Sequence, residues 1–401
     1  MINSDFKIFD PAPEYAPYAC RKETSRGRLH REPETTTRSP FQRDRDRIIH
    51  SGAFRRLIHK TQVFVYHEGD YYRTRLTHSI EVAQIARSIA VVLGLNDEIA
   101  ESLALVHDFG HTPFGHAGEE AMQAVMSPFH GFDHNAQSLR VVTKLEQRYA
   151  GFDGLNLTWE TLEGLAKHNG PLCAEGQFDG LNVNMRSYND SHDLELHTFS
   201  SAEAQVAAVS DDVAYNTHDI ADGIRAGLLT MEQLEELPLL HHIIGQVRDT
   251  YGQLEDSRKI HEVVRRLINS MVNDILVESK KRITALKPGT VDDIRRAGQN
   301  VISFSEEMKE FDKRLKSFLM QNMYRHYKVN RMSSKAKRVI TDLFELFQAE
   351  PECLPTEWQS PEILEDTKMR ARHVADFIAG MTDRYALLEH KRLFDTSLFE
   401  L

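Results

Sequence analysis

The stretch "ALVHDFGHTPFGHAGEEAM", residues 104–122, joins an apolar helix end to a turn-rich segment that carries His107, Asp108, His111 and His116. Gly110, Pro113 and Gly115 interrupt the helical pattern, and Glu119 and Glu120 follow at once. Burying ionisable groups beside an apolar helix costs free energy unless something compensates them. A metal ion, a substrate and ordinary hydrogen bonds are the three candidate compensators. The other segments that carry histidine and carboxylate decide among them.

Upstream, "LTHSIEVAQIARSIAVVLGL" is amphipathic: His78, Val82, Ile85, Ile89 and Val92 recur at spacings of four and three, one face of a helix. His78 therefore points inward; Thr77 is placed to cap this helix and Glu81 to sit in its first turn. Taken alone, His78 is better explained as a buried histidine bonded to a backbone carbonyl. The helix "DEIAESLALVHDFG" buries Ile99, Leu103 and Val106 and delivers His107 and Asp108 at its end, where Gly110 allows a turn. A third helix, "SAEAQVAAVSDDVAYNTHDIADGIR", places Asp211, Tyr215 and Asp219 on one face, with Asp222 continuing it. Carboxylates along an Ala- and Val-rich helix are expensive to bury without a partner, the alternative being a solvated stripe. Two imidazoles and two carboxylates form a mixed N/O set. That set suits a divalent ion of the Mn, Fe, Co, Ni or Mg type with open water positions better than a closed structural zinc. Such an ion is a Lewis acid for phosphoryl oxygen.

Outward from these helices the class is all-α. Amphipathic stretches recur near 231–247, 255–286, 304–327, 334–349 and 360–392, with a break at Pro288-Gly289 and no strand alternation. Residues 171–200, rich in Gly, Asn, Asp and Ser, read as a long loop. Residues 1–40 read as an extended arm, 41–235 as the helical core and 236–401 as an appended helical region. The chain of 401 residues has 41% hydrophobic content, enough for a sizeable core, and its net charge of −11 argues against a protein that coats nucleic acid. Cys20, Cys173 and Cys353 match no metal or disulfide spacing, which fits a reducing cytoplasm. No apolar run approaches the roughly 18 residues a membrane span needs, so no membrane association is expected.

The order His78, His107-Asp108, Asp211 resembles the H…HD…D signature of the HD-domain metal phosphohydrolases. "HDFGHTPFGHAGE", with "RRLIHKTQVF", "RTRLTHS" and "DDVAYNTHD", is similar to the deoxyguanosine triphosphate triphosphohydrolase (dGTPase)-like branch. The likeness is strong over roughly residues 40–225, and "LMQNMYRHYKV" adds a weaker element. It implies an HD-domain helical core and a metal-dependent reaction: a deoxynucleoside triphosphate, dGTP among the candidates, plus water gives a deoxynucleoside and inorganic triphosphate.

The resemblance assigns roles residue by residue. His78, His107, Asp108 and Asp211 hold the divalent metal (Mn, Mg, or Fe/Co/Ni); Asp211 rather than Asp212 is the ligand because it lies four before Tyr215. The 5′ oxygen needs a proton as it leaves. His116, near the start of the next helix, is the expected general acid, with Glu119 three residues on to orient it. His134 in "GFDHNAQSL" supports the same network, and His111 contacts phosphate. Arg75 resembles the α-phosphate arginine, and Arg55 and Arg56 are further cations. Tyr324, Arg325, His326 and Lys328 form a second basic group, whereas Lys335, Lys337 and Arg338 read as a solvated face. Tyr215 resembles the tyrosine beneath the deoxyribose, and Gln62 and Asp219 the pair on the 3′-hydroxyl. The family's habit implies a homo-oligomer, a hexamer or tetramer, and a nucleotide or single-stranded DNA effector. The basic region from Arg21 to Arg56 is a candidate for a subunit-spanning arm or an effector site. Two competing readings are another HD-type nucleotidase or phosphodiesterase, and a nucleotide- or single-strand-sensing regulator with a silent site.

Overall fold

A computed structural model describes residues 14–62, 72–360 and 365–396. Val63 and Phe64 of the "RRLIHKTQVF" motif, and the first residues of the 360–392 stretch, lie outside the described residues. Among the described residues there are seventeen α-helices and only isolated β-bridges, such as Arg28 with Thr158. The fold is all-α, as the periodicity implies.

The core is built on three helices: α3 (Arg75–Leu93), α4 (Asp97–Val106) and α9 (Ala202–Arg225), which pack on one another. Each starts where a side chain satisfies free amides. Asn96 accepts from Glu98 and Ile99 at the start of α4, and Ser201 from Ala204 at the start of α9. On α3 the cap is Thr74, not Thr77. Thr77 is the third residue of the helix and closes the reciprocal bond to the Thr74 amide at 3.1 Å. Of the expected stripe on α3, His78, Val82, Ile85 and Ile89 are buried, but Val92 is 51% exposed. The buried arc includes Ser79, Ala86 and Ala90 and is centred to one side of the stripe, which leaves Val92 at its edge. Contrary to the sequence expectation, α3 is long and apolar enough to cross a membrane by length and composition alone, but half of that window is buried and the helix packs on α4 and α9.

Helix α1 (Pro40–Ile49) lies beside α4, and α2 (Gly52–Arg56) packs next to α1. They are followed in chain order by α5 (Gly115–Met126), α6 (His134–Arg140), α7 (Trp159–Ala166) and α8 (Val183–Ser191). The segment expected as a loop over 171–200 thus holds α8, capped by Asn182 on the Asn184 amide; its polar composition conceals a short surface helix. The later helices are α10 (Met231–Leu234), α11 (Pro238–Tyr251), α12 (Asp256–Leu286), α13 (Val291–Arg295), α14 (Glu306–Leu319), α15 (Tyr327–Ala349), α16 (Thr367–Ala379) and α17 (Asp383–Phe394).

Two buried apolar clusters run through the molecule. One unites α1, α3, α4, α7 and α9 with α11, α12 and α14; the other packs Phe114, Met122 and Met126 against α15 and α16. The first of these clusters includes residues on both sides of residue 235. The arm from residue 14 onward lies on the molecule's own surface. Glu203 of α9 accepts from the Cys20 and Asn96 amides, and buried Asp44 receives Arg28 and the Thr158 and Thr161 hydroxyls. The basic region is largely neutralised within the chain, with Arg26 on Glu195, Arg38 on Asp46, Arg45 on Glu101 and Arg47 on Glu32.

Candidate metal centre and adjoining cavity

Three elements converge. From the first turn of α3, His78 points into the core; after α4 the chain tightens into a 3-10 turn, His107–Gly110; from the middle of α9 comes Asp211. The tightening explains how adjacent residues His107 and Asp108 face one site. Gly110 is required there by close approach. A Cβ on it would lie 2.0 Å from the His134 carbonyl oxygen and 2.4 Å from the Ser138 amide of α6. The turn itself is made further on, by Phe114 and Gly115 at φ 66° and 58°.

The ligand-type atoms of His78, His107 and Asp211 all lie within 4.8 Å of one another. His107 Nδ1 donates to the Ala104 carbonyl at 2.8 Å, so its Nε2 carries a lone pair, and that atom is buried without a hydrogen-bond partner. His78 Nε2 is 2.8 Å from Asp211 Oδ1. Asp108 stands at the edge of this trio. Its Oδ1 is 3.4 Å from His107 Nε2 and accepts from Arg75 Nη1 at 2.8 Å, while its Oδ2 is buried and unpartnered. Orphaned acceptors of this kind are costly in a folded interior, and a divalent cation bound through N and O donors would satisfy them. Burial disfavours the charge on Asp108, but Arg75, His107 and His111 hold its carboxyl well below the usual range. Burial likewise opposes the charge on Asp211, and His107, His168 and His78 overcome it.

Beside this centre, Glu119 on α5 accepts from His134 Nδ1 at 2.6 Å, and its other oxygen is 3.6 Å from His111 Nδ1. The His111 and His134 rings stack at 4.1 Å. Burial works against a charge on His134, but the Glu119 carboxylate raises its pKa; Glu119 itself is lowered to about 2, against its own burial, chiefly by His134 and His111. Glu119 therefore serves His134, not His116 as expected. Its hydrogen bonds go to the amide and ring of His134 at the start of α6, where the loop after α5 brings that residue. His116 faces the cavity, its ring 6.4 Å from Tyr215 and 6.2 Å from His111, and burial with the nearby Arg75 lowers its pKa.

That cavity, of about 460 Å³, is lined among others by Gln62, His116, Tyr215, Tyr324 and Lys328. Gln62 is 7% exposed and its Oε1 has no partner. Tyr324 Oη lies 2.8 Å from Tyr215 Oη and hydrogen-bonds Asp219. Burial and the neighbouring Asp222 push the Asp219 carboxyl well above its usual range. The structure thus gathers Gln62, His116 and Tyr215 at one cavity, with Asp219 bonded to the lining Tyr324. Arg55 is exposed on α2 and lines neither. Asp212 faces elsewhere, toward Lys316 at 2.8 Å.

Two histidines beside the centre, His168 and His218, escaped sequence reasoning, and the role of Tyr324 was misassigned. His168 stacks on His107 with centroids 5.5 Å apart and lies 3.6 Å from Asp211 Oδ2; it follows α7 in a turn, where periodicity carries no signal. Its neighbour Lys167 anchors that turn on Glu163 at 2.6 Å. His218 Nδ1 is 3.2 Å from His78 Nδ1, and its pKa falls to about 4 through burial. It lies seven residues after Asp211 on α9, a spacing of two turns that marks a shared face. Tyr324 was read as part of a basic group, whereas its hydroxyl belongs to the Tyr215–Asp219 pair.

Comparison with known proteins agrees with this arrangement. Residues 75–216 match the HD domain, and residues 302–392 match the phosphohydrolase-associated domain. The chain is 57% identical over 381 residues to a deoxyguanosinetriphosphate triphosphohydrolase-like protein of Parvibaculum lavamentivorans, covering 95% of this chain and 96% of that one. It is 56% identical over 385 residues to the like-named protein of Brucella anthropi, with 95% and 96% covered. Against that of Rhizobium meliloti it is 54% identical over 388 residues, with 95% of each covered. The cluster of His78, His107 and Asp211, the helices that present it and these full-length likenesses agree: the chain belongs to the deoxyguanosinetriphosphate triphosphohydrolase-like family of HD-domain phosphohydrolases.

Proposed function

We propose that the protein hydrolyses a deoxynucleoside triphosphate to a deoxynucleoside and inorganic triphosphate, with a divalent ion held by His78, His107, Asp108 and Asp211. The observation that carries this reading is the register of α9. At successive intervals of four it presents Asp211 to the cluster, Tyr215 to the cavity and Asp219 to the Tyr324 hydroxyl. A sugar resting on Tyr215 would set its 5′ oxygen, and so its innermost phosphate, beside the cluster.

The bound ion would act as a Lewis acid on the phosphoryl oxygens. Water adds at the α-phosphorus and gives up a proton to the released triphosphate or to bulk water, and the bond to the 5′ oxygen breaks with its electron pair on that oxygen. His116 gives the oxygen its proton. In the free protein burial and Arg75 disfavour charge on His116; a triphosphate of about −4 charge favours the imidazolium and so loads the acid as substrate binds. Glu119 raises the pKa of His134, and Arg75 holds Asp108 in place. Gln62, with an unused acceptor, and Asp219 suit the 3′-hydroxyl. A site built to satisfy a hydroxyl rejects analogues without it, and a 2′-hydroxyl on a sugar resting on Tyr215 would collide with its ring.

Product analysis tests the reading. The four deoxynucleoside triphosphates, singly and mixed, are incubated with Mn²⁺ or Mg²⁺. Intact triphosphate is the expected product, with weak turnover of ribonucleotides and 2′,3′-dideoxynucleotides. Monophosphate or pyrophosphate as product would instead make the protein another HD-type nucleotidase, and equal turnover of ATP and dATP would remove the role given to Tyr215.

A further inference from the structure

Behind His78, on the side away from the cavity, stand two groups that the proposed reaction leaves unused. We infer that Glu81 and His218 form a relay that fixes the tautomer and direction of His78, making His218 a positioning residue for the cation centre. The inference rests on the reading of His78 as a ligand.

Proton counting carries it. Glu81 Oε2 accepts from Arg73 Nε at 3.1 Å and sits against His218 Nε2. An ionised carboxylate only accepts, so His218 holds its proton on Nε2 and offers a lone pair at Nδ1. That lone pair faces His78 Nδ1 at 3.2 Å. Two facing ring nitrogens share a hydrogen bond only if one carries the proton, which places it on His78 Nδ1. With Nδ1 committed to His218, Nε2 is the His78 nitrogen that faces the centre, 2.8 Å from Asp211 Oδ1. A proton or a cation can lie between that nitrogen and the carboxylate, and because the relay keeps the other proton on Nδ1, Nε2 is the atom left to bind the cation. His78 is wholly buried and His218 is 3% exposed, so water has little access to replace the link. Arg73 completes the chain from outside, donating also to Asp222 at 2.8 Å. His107 reaches the same state by a shorter route, its Nδ1 resting on the Ala104 carbonyl.

The test measures cation affinity on the full-length, chelator-stripped protein by competition of Mn²⁺ or Co²⁺ with a chromogenic chelator. His218→Leu removes the acceptor and is expected to weaken binding by about 10–100-fold. His218→Asn supplies Oδ1 where Nδ1 stood and is expected to restore most of that loss. Glu81→Ala, at a partly exposed position that does not threaten folding, is expected to weaken binding as well. Histidine-selective ¹⁵N spectra of the Zn²⁺-loaded wild type should show His78 protonated at Nδ1 and His218 at Nε2. Wild-type affinity in His218→Leu, equal losses in the Leu and Asn variants, or the opposite tautomers would each overturn the relay. A wild-type protein that binds no cation would instead defeat the reading of the cluster, and the relay with it.

Discussion

At the scale of single residues, the site separates groups of one chemical type by environment. His116 and His134 are both imidazoles near Glu119, but only His134 touches it. His134 is raised and His116 lowered. Replacing His116 with Ala should lower kcat by about 10²–10⁴-fold with KM little changed, read from steady-state kinetics on the preferred deoxynucleotide; unchanged turnover would discard it as the general acid. The Glu119–His134 pair makes a separate prediction about pH. A raised folded-state pKa means the pair's contribution to stability is complete below the ordinary histidine value of 6.5 and is lost as pH rises through the higher folded value. Thermal melts across this window should therefore show wild type most superior to Glu119→Gln at the acid end, with the gap closing as pH rises. A gap that is constant with pH would mean the carboxylate does not hold the charge on His134. The sequence announced these residues by type and spacing but not by pairing. Glu119 three residues after His116 suggested one partner, and the fold of the following loop supplied another.

At the scale of elements, the decisive contact is between the 3-10 turn His107–Gly110 and α6. Gly110 accepts a backbone at van der Waals range on the side where any Cβ would stand, and its amide donates to Ser138 Oγ at 2.8 Å. Gly110→Ala must push α6 away, at a cost of about 1–3 kcal/mol or more, and should displace His134 with it. Denaturant unfolding would report the first effect and loss of turnover the second; a fully stable, fully active Gly110→Ala protein would contradict the packing described. From sequence, Gly110 was read as a turn residue. Its actual role, yielding space to another helix, involves a neighbour distant in the chain, and no local pattern encodes that. Helix boundaries at Asn96 and Ser201, by contrast, were legible because a cap is a local hydrogen bond.

At the scale of the molecule, the C-terminal helices are tied to the active segment by buried polar links. Asp383, at the start of α17, accepts from the Thr61 amide at 3.0 Å and the Phe114 amide at 2.9 Å. Lys60, whose pKa burial lowers to about 7, donates to the carbonyls of His111 and Ala379 at 2.5 and 2.7 Å. These links flank Gln62 and the turn before His116. Asp383→Ala leaves two buried amides unpaired and should cost about 2–5 kcal/mol, with turnover reduced although the residue lies outside the cavity; calorimetry and kinetics on the same preparation check both. Cation binding should act on the whole fold through mass action. Stripping the protein with a chelator should lower its melting temperature, and an ion restored at about 100 times its Kd should return about 2.7 kcal/mol. A melting temperature indifferent to the ion would mean the cluster does not bind it in the native state.

What the sequence determined by itself was the helical class, the three helices of the centre and the identity of their polar residues. Those follow from periodicity and capping, which act over a few residues. The tertiary structure alone decided which nitrogen of each histidine is free, that Glu119 serves His134, that His168 and His218 join the centre, and that α5 shares a core with α15 and α16. These depend on segments tens to hundreds of residues apart meeting in space, and hydrogen-bond direction and burial are properties of that meeting rather than of any one segment.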